Sequence, residues 1–437
     1  MESFQQLQVY QLAEKISKKI WFLVKKWDNF TKDTRGKQIL RAADSLGANI
    51  AEKHDQYSCQ DNQRFVKIAR RSLNETRHWL RLAYARNLLT QEQIARLHPL
   101  LKELSPKLNA YLNSLKQKAN SQQSTINLMT NIKWLQPGDL LRVIAPSGTL
   151  RELSSFERGV EIWKSRGYRL ELTPGFDDRW GYLAGSDENR VRQLADALND
   201  PDCRGILCVR GGFGSTRLLE KGNVGKAENS QFPSPDSHSP KWLIGFSDIT
   251  ALLWNQAKLG VWGVHGPMLT TLADEPDWSI DRLFDCIEGR PLQSLQGKGW
   301  GSGQAIGPLF PANLTVASHL LGTPYQPDLT GVILAFEDIS EAPYRVDRML
   351  TLWRMAGAFA GVRGIALGRF SRCEIDPSIP SFSIEEVLRD RLGDLNIPIV
   401  SDLPFGHEGV NAALPMGIMA CLDAESGLLI CGDKSQL

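Results

Sequence analysis

The sequence predicts a multidomain protein: an all-α four-helix bundle, then a doubly wound α/β domain, then a smaller mixed, β-rich C-terminal domain. Three observations predict it. Residues 1–118 contain only two glycines, Gly36 and Gly47, and no proline before Pro99 and Pro106, whereas both residue types punctuate the remainder. Apolar residues recur at helical steps in the first part and as short β-rich runs in the second. Charge divides at nearly the same place: residues 1–120 carry 22 Lys and Arg against 11 Asp and Glu, a net of +11, while the rest carries 29 against 38, a net of −9. A length of 437 residues accommodates two to four domains at roughly 100–200 residues each.

In the first part Leu12, Ile16, Ile20 and Val24, and later Phe65, Ala69, Leu73, Leu80 and Tyr84, keep to one stripe per helix. Polar interruptions near 29–36, 54–58 and 87–90 divide the segment into helices at about 5–28, 34–53, 59–87 and 91–118. None can bury its stripe alone, so an antiparallel bundle over 1–118 is expected. Residues 119–133 are polar and poor in large apolar side chains, and read as a linker. From 134 to 300 strands at Leu141–Ile144, Leu170–Leu172, Ile206–Val209 and Leu243–Phe246 alternate with amphipathic stretches such as Phe156–Ser165 and Glu188–Leu198. That alternation implies a parallel sheet covered on both faces. Residues 221–239, rich in Gly, Pro, Ser and Asn, read as a surface loop. Beyond 305 shorter β-like runs (Val332–Phe336, Gly364–Leu367, Ile397–Val400, Gly417–Leu422, Gly427–Cys431) imply a second domain over 305–437.

No apolar run reaches the roughly 18 residues of a membrane span, and the start, Met-Glu-Ser-Phe-Gln-Gln, has neither the basic nor the apolar region of a secretory signal. Seven cysteines without a C-x-x-C pair fit reduced thiols in a cytoplasm better than disulfides or a zinc knuckle. There is no H-E-x-x-H or comparable cluster, so neither metal nor cofactor is expected.

Ser247, in Gly245-Phe-Ser-Asp-Ile-Thr250, falls where a buried strand turns into a helix. Its hydroxyl either caps that helix or projects from the sheet edge as a nucleophile beside the helix's unpaired N–H groups. Arg210-Gly-Gly-Phe-Gly-Ser215 follows another strand. It reads as a tight turn or as a loop whose backbone approaches a ligand; it lacks both the G-x-G-x-x-G spacing and the P-loop Lys that nucleotide binding needs. A serine nucleophile needs a neutral base and an orienting carboxylate. Of the seven histidines, His54, His78 and His98 lie in the bundle, His238 in the surface loop, and His319 on an apolar helical stretch suited to a core histidine. His265, after a β-like stretch, is placed to line a pocket, and His407, in a glycine-rich loop after a strand, has the setting of a mobile catalytic base. Glu337 ends an apolar strand; it serves as the carboxylate or forms a salt bridge to Arg345 or Arg348.

Taken together, Leu135-Gln-Pro-Gly-Asp139, Ile144-Ala-Pro-Ser147, Val209–Leu219, Gly245–Thr250, His265-Gly-Pro-Met268, Leu321-Gly-Thr-Pro-Tyr325, Phe336-Glu-Asp338, Pro343–Leu350 and Gly406-His407 resemble the LD-carboxypeptidase family. This serine peptidase family includes muramoyltetrapeptide carboxypeptidases and microcin-immunity peptidases. The resemblance spans about 134–432 and implies a glutamine-amidotransferase-like α/β domain carrying the nucleophile, with a smaller domain supplying acid and base. It implies Ser247 as nucleophile, Glu337 as orienting acid, His407 as base, and the backbone N–H groups of Gly212 and Asp248 as oxyanion hole. Two departures stand out: the 221–239 loop, and Pro311-Ala-Asn-Leu314 where the family usually has Gly-Gly-Asn-Leu.

The bundle, through Gln38–Glu52 and Ser72-Leu-Asn-Glu75, resembles the four-helix proteins encoded in ribosomal-RNA intervening sequences. That implies self-association, so a homo-oligomer is expected, with RNA contact through the basic face as the alternative. The expected function is a cytoplasmic serine peptidase that removes the terminal D-amino acid from muropeptide tetrapeptides in peptidoglycan recycling. The alternatives are cleavage of peptide–nucleotide conjugates, or an RNA-binding or scaffolding protein with a vestigial peptidase half.

Overall fold

The computed structural model describes residues 7–51, 59–129, 132–221, 241–258, 262–376 and 378–432. The chain divides into two compact units, Met1–Asn127 and Leu128–Leu437.

The first unit is helical. Helix α1 (Gln8–Val24) buries Val9, Ala13, Ile16, Ile20 and Val24, the spacing that the sequence periodicity requires. A short helical turn, α2 (Asn29–Thr31), capped by Asp28, passes through a π-helical turn at Lys32–Gly36 into α3 (Lys37–Ala51), which buries Ile39, Ala42, Ala43, Leu46 and Ile50. Gly36 is required at that junction, since a Cβ there would meet Val24 at 2.7 Å. Helices α4 (Cys59–Ala85) and α5 (Gln91–Met129) complete the bundle, whose core also holds Ala69, Leu73, Leu97, Leu104 and Leu108. Helix α5 overturns one expectation. It continues through 119–129, where the sequence predicts a linker, because that stretch has no glycine or proline to stop it and its Ala119, Gln122, Gln123, Leu128 and Met129 favour helix.

The second unit holds two sheets. Strands β1 (Leu140–Ile144), β2 (Arg169–Leu172), β3 (Cys203–Cys208), β4 (Trp242–Gly245) and β5 (Trp262–His265) run parallel in the doubly wound order 2-1-3-4-5. Neighbouring residues on these strands enter different cores: Ile206 and Leu243 pack on one face, Leu207 and Ile244 on the other. The second sheet comprises β6 (Leu295–Gln296), β7 (Lys298–Trp300), β8 (Gln304–Asn313), β9 (Ile333–Ile339), β10 (Gly364–Ser371), β11 (Ile399–Ser401), β13 (Met419–Asp423) and β14 (Leu428–Cys431). Its centre, β8 to β11, is parallel.

The boundary read between 300 and 305 is crossed in both directions. Leu295–Trp300 belong to the second sheet, while β12 (Leu414–Met416) returns to pair antiparallel with β5, Leu414 opposite His265. Short apolar runs carry no signal of which sheet they will join, so sequence order alone misassigns them. The expected surface loop at 221–239 falls, from residue 222 on, outside the described residues. No described helix is long and apolar enough to cross a membrane.

Candidate active site

Strand β4 ends at Gly245, where a Cβ would strike Ile249 at 2.8 Å; its absence lets the next helix fold straight back over the strand. Phe246 is extended, and Ser247 then takes φ +61°, a left-handed conformation that costs a non-glycine residue on the order of 1–3 kcal/mol. A 3₁₀ turn, Ser247–Ile249, leads directly into helix Thr250–Lys258. The elbow is tied down by buried Asp248, whose carboxylate accepts from Ser147 Oγ at 2.5 Å and from the Ser215 backbone N–H at 2.8 Å. Its carbonyl accepts from the Ser215 hydroxyl. Burial pushes the Asp248 carboxyl above its ordinary range, against those hydrogen bonds. The Asp248 side chain thus joins the loops that follow β1 and β3 to the turn carrying Ser247.

The Ser247 hydroxyl lies 2.8 Å from His407 Nε2, and His407 Nδ1 lies 2.6 Å from Glu337 Oε2. Sequence positions 160 and 70 residues apart therefore form one hydrogen-bonded line. Glu337 is fully buried on β9, and its other oxygen, Oε1, accepts from Asn313 Nδ2 at 3.2 Å. Asn313, opposite Glu337 in the parallel β8–β9 register, does three further jobs. Its amide also reaches Asp338 at 3.1 Å, its Oδ1 caps helix Leu314–Leu320 at the Val316 N–H, and its backbone N–H donates to Thr250 Oγ1 at 2.9 Å. One residue, through its side chain and its backbone N–H, thereby fixes the acid relative to the helix that follows Ser247.

The loop carrying His407 is held at both ends. Gly406 N–H donates to Asn411 Oδ1 at 3.1 Å, Ala412 N–H to the Pro404 carbonyl at 2.9 Å, and Arg369 Nη1 to the Val410 carbonyl at 2.5 Å. Gly406, at φ +128°, lies against the Arg369 backbone, where a Cβ would come within 3.2 Å. Half-buried Glu275, whose carboxyl is raised by partial burial, accepts the Asn411 N–H at 2.9 Å.

Burial opposes protonation of His407, but the charge of Glu337 and its hydrogen bond outweigh it, so the imidazole is held above its ordinary value. His265 behaves oppositely: completely buried, it is pushed down to about 4, although its Nε2 stands 3.9 Å from Glu337 Oε1. Of these two histidines it is His407 that meets the Ser247 hydroxyl, while His265 lies buried beside Glu337. Asp338 is pushed up to about 6 by burial and by neighbouring Glu337.

The glycine loop closes the other side. A Cβ on Gly211 would sit 3.1 Å from Ser247 Cβ and 3.2 Å from Oγ, and Gly212, at φ +116°, has a conformation side chains rarely adopt. Buried Arg190 braces this loop, donating to the Pro146 carbonyl at 2.6 Å and the Gly214 carbonyl at 2.9 Å. One sequence expectation fails here, and one of the two open readings of Glu337 is excluded. His319 is exposed at the end of its helix rather than in the core, because that helix is short and its apolar face lies on Leu314, Ala317 and Leu320. Glu337 forms no salt bridge to Arg345, which pairs with Glu341 instead at 3.5 Å. Asn313 carries no sequence signal of a place in the site; an Asn directly before a helix is legible only as a cap. Among the described residues, no three His, Cys, Asp or Glu side chains are grouped to hold a metal.

A strand–elbow–helix bearing a hydroxyl, hydrogen-bonded to an imidazole that is itself hydrogen-bonded to a buried carboxylate, is the arrangement that serine-hydrolase chemistry requires. Comparison with known proteins carries the identification further. Residues 141–266 match the model of the LD-carboxypeptidase N-terminal domain, and 306–422 that of its C-terminal domain. The chain is 54% identical over 295 residues to a protein of Synechocystis sp. named as a carboxypeptidase, covering 68% of this chain and 95% of that one. It is 29% identical to the murein tetrapeptide carboxypeptidase of Pseudomonas aeruginosa, over 66% of this chain and 95% of the relative. The crystal structure of muramoyltetrapeptide carboxypeptidase from Oxalobacter formigenes superposes with a TM-score of 0.59 at 30% identity, covering 67% of this chain and 99% of that chain. The microcin C7 self-immunity protein MccF, at 22% identity and TM-score 0.59, shares the fold. The chain belongs to the LD-carboxypeptidase family and is by that membership an enzyme of the serine carboxypeptidase class. Residues 5–110 separately match the model of the 23S rRNA-intervening sequence protein.

Proposed function

We propose that this enzyme releases the terminal D-alanine from muropeptide tetrapeptides in the cytoplasm, as part of peptidoglycan recycling. His407 accepts the Ser247 proton as Oγ attacks the scissile carbonyl, and Glu337 holds the imidazole in the required tautomer and stabilises its charged form. The Gly212 and Asp248 N–H groups receive the developing oxyanion. His407 then protonates the leaving amine of D-alanine, and water, activated by the same imidazole, hydrolyses the acyl-serine. No other group has to accept or supply a proton.

The observation that carries this reading is the continuous line Ser247–His407–Glu337, at 2.8 and 2.6 Å, in a family whose relatives include a murein tetrapeptide carboxypeptidase. It is tested by measuring D-alanine released from the tetrapeptide by the wild-type chain and by Ser247→Ala. Release is expected from the first alone, and equal rates would remove the mechanism. The MccF fold supports a second substrate class, peptide–nucleotide conjugates, and competition between the two substrates separates them. For the bundle we propose self-association with a second copy. The exposed aromatic side chains of Trp21, Phe22 and Phe30 support it, and sedimentation of the wild type against a variant with all three changed to Ser tests it. RNA contact through the basic face is the competing reading, measured as a salt-dependent binding slope.

A further inference from the structure

A carboxypeptidase must tell a free terminal carboxylate from the next residue of a longer chain. That carboxylate lies only about one residue, some 3.8 Å, beyond the carbonyl under attack. Recognising it calls for a cation beside the glycine loop.

Arg210 occupies that place. It directly precedes Gly211, which packs on Ser247, and its guanidinium lies alongside the loops after β1 and β3. A Cβ on Gly148 would come within 2.5 Å of its Nη1, and one on Gly212 within 3.3 Å. Gly148 N–H donates to the Gly211 carbonyl at 3.1 Å, so guanidinium, both glycine segments and Ser247 form one contiguous patch. In the strand order 2-1-3-4-5, β1 and β3 flank the point where the order reverses, and there the crevice beyond the strand ends takes ligands.

The arginine is only partly committed. Its Nε faces Glu152 at 3.3 Å, in a pair open to solvent, and its Nη1 makes a long 3.5 Å contact with the Thr149 carbonyl. Its Nη2 has no hydrogen-bond partner among the described residues. Neighbouring arginines differ: Arg190 is fully buried and spent on Pro146, Gly214 and Asp187, and Arg369 on the His407 loop. Half-exposed Tyr182 and Phe213, rings 5.9 Å apart, flank the same loops and would partly exclude water from a bound anion.

We propose that Arg210 forms a carboxylate subsite, receiving the α-carboxylate of the substrate's terminal residue through Nη1 and Nη2 and so making the enzyme an exopeptidase. This rests on the peptidase reading above. Arg210 fixes the substrate and takes no part in proton transfer. A planar fork suits a carboxylate better than an ammonium does, so Lys is an incomplete replacement.

The test uses binding, so that it stands apart from hydrolysis. Full-length Ser247→Ala protein is titrated calorimetrically with L-alanyl-γ-D-glutamyl-meso-diaminopimelyl-D-alanine and with the same peptide as its C-terminal amide. We expect the acid to bind at least ~10-fold more tightly than the amide. Adding Arg210→Gln should erase that preference and leave amide affinity unchanged; Arg210→Lys should keep part of it. Glu152→Gln, which removes a competing carboxylate, should strengthen acid binding relative to the amide, and it serves if the Arg210 variants fail to fold. The proposal is overturned by equal affinities with Arg210 present, by a preference that survives Arg210→Gln, by loss of both ligands alike, or by a Glu152→Gln protein with an unchanged ratio. An acid preference in a protein whose wild type releases no D-alanine would keep the subsite and reject the proposed reaction.

Discussion

The two units of this chain use their interiors in opposite ways. Among the described residues of the bundle, the buried polar side chains are Ser72 and Thr76. Their hydroxyls return to carbonyls one turn back in their own helix. The second unit buries Asp187, Arg190, Asp248, His265, Arg282, Glu337 and Asp338. Removing charged groups from water costs several kcal/mol each unless partners compensate, so such an interior is an expensive way to build a fold. The difference teaches where chemistry resides. The bundle is stabilised by Ala, Leu and Ile packing, whereas the second unit spends stability on holding a carboxylate, an imidazole and a hydroxyl in line.

That contrast can be broken or sharpened. The largest effect is expected at Glu337→Gln. It keeps the shape but offers His407 an amide, and D-alanine release should fall ~10³–10⁴-fold with substrate affinity kept, as measured by steady-state kinetics. A loss under tenfold would mean that the carboxylate does not orient the base. Next, the wild-type pH profile of kcat/KM should have its acid limb above 6.5. The base must be neutral, and Glu337 raises the His407 pKa, so activity appears only as pH climbs through that raised value. In Glu337→Gln the residual activity should show the limb moved to lower pH.

Leu46→Ala, in the bundle core, should lower the stability of that unit by ~2–5 kcal/mol in denaturant titrations and leave D-alanine release per folded molecule unchanged. A parallel loss of turnover would show that the units do not divide their tasks as described. The smallest effect is expected at His265→Phe. The folded His265 pKa of about 4 lies below its unfolded value, so wild-type stability is complete above pH 6.5 and declines as pH falls toward 4. The Phe variant should flatten that part of a Tm-against-pH curve.

Much of this was legible in the sequence, unevenly. Bundle helices and the first four strands follow from periodicity, since a stripe of Ile16, Ile20 and Val24 or a run such as Leu-Ile-Gly has one economical burial. Ser247 announced itself by standing between a strand and a helix, but its left-handed φ, which separates an elbow from a cap, depends on Gly245 and Asp248 acting together. Glu337 and His407 were reached through family resemblance. From residues alone a buried carboxylate had two readings, and the choice is made by a loop folding back 70 positions later. The partners of Asn313 and His265 and the return of β12 to the first sheet depend on register between strands apart in sequence, to which no local pattern gives access.

The central claim is that His407 activates the hydroxyl of Ser247. It is tested most directly by exposing the wild-type chain and a His407→Ala variant to a fluorophosphonate and mapping the labelled residue by mass spectrometry. Labelling confined to Ser247 in the wild type, and lost in His407→Ala, is the predicted result. A wild type unlabelled at Ser247, or labelling that persists undiminished without the imidazole, would contradict it.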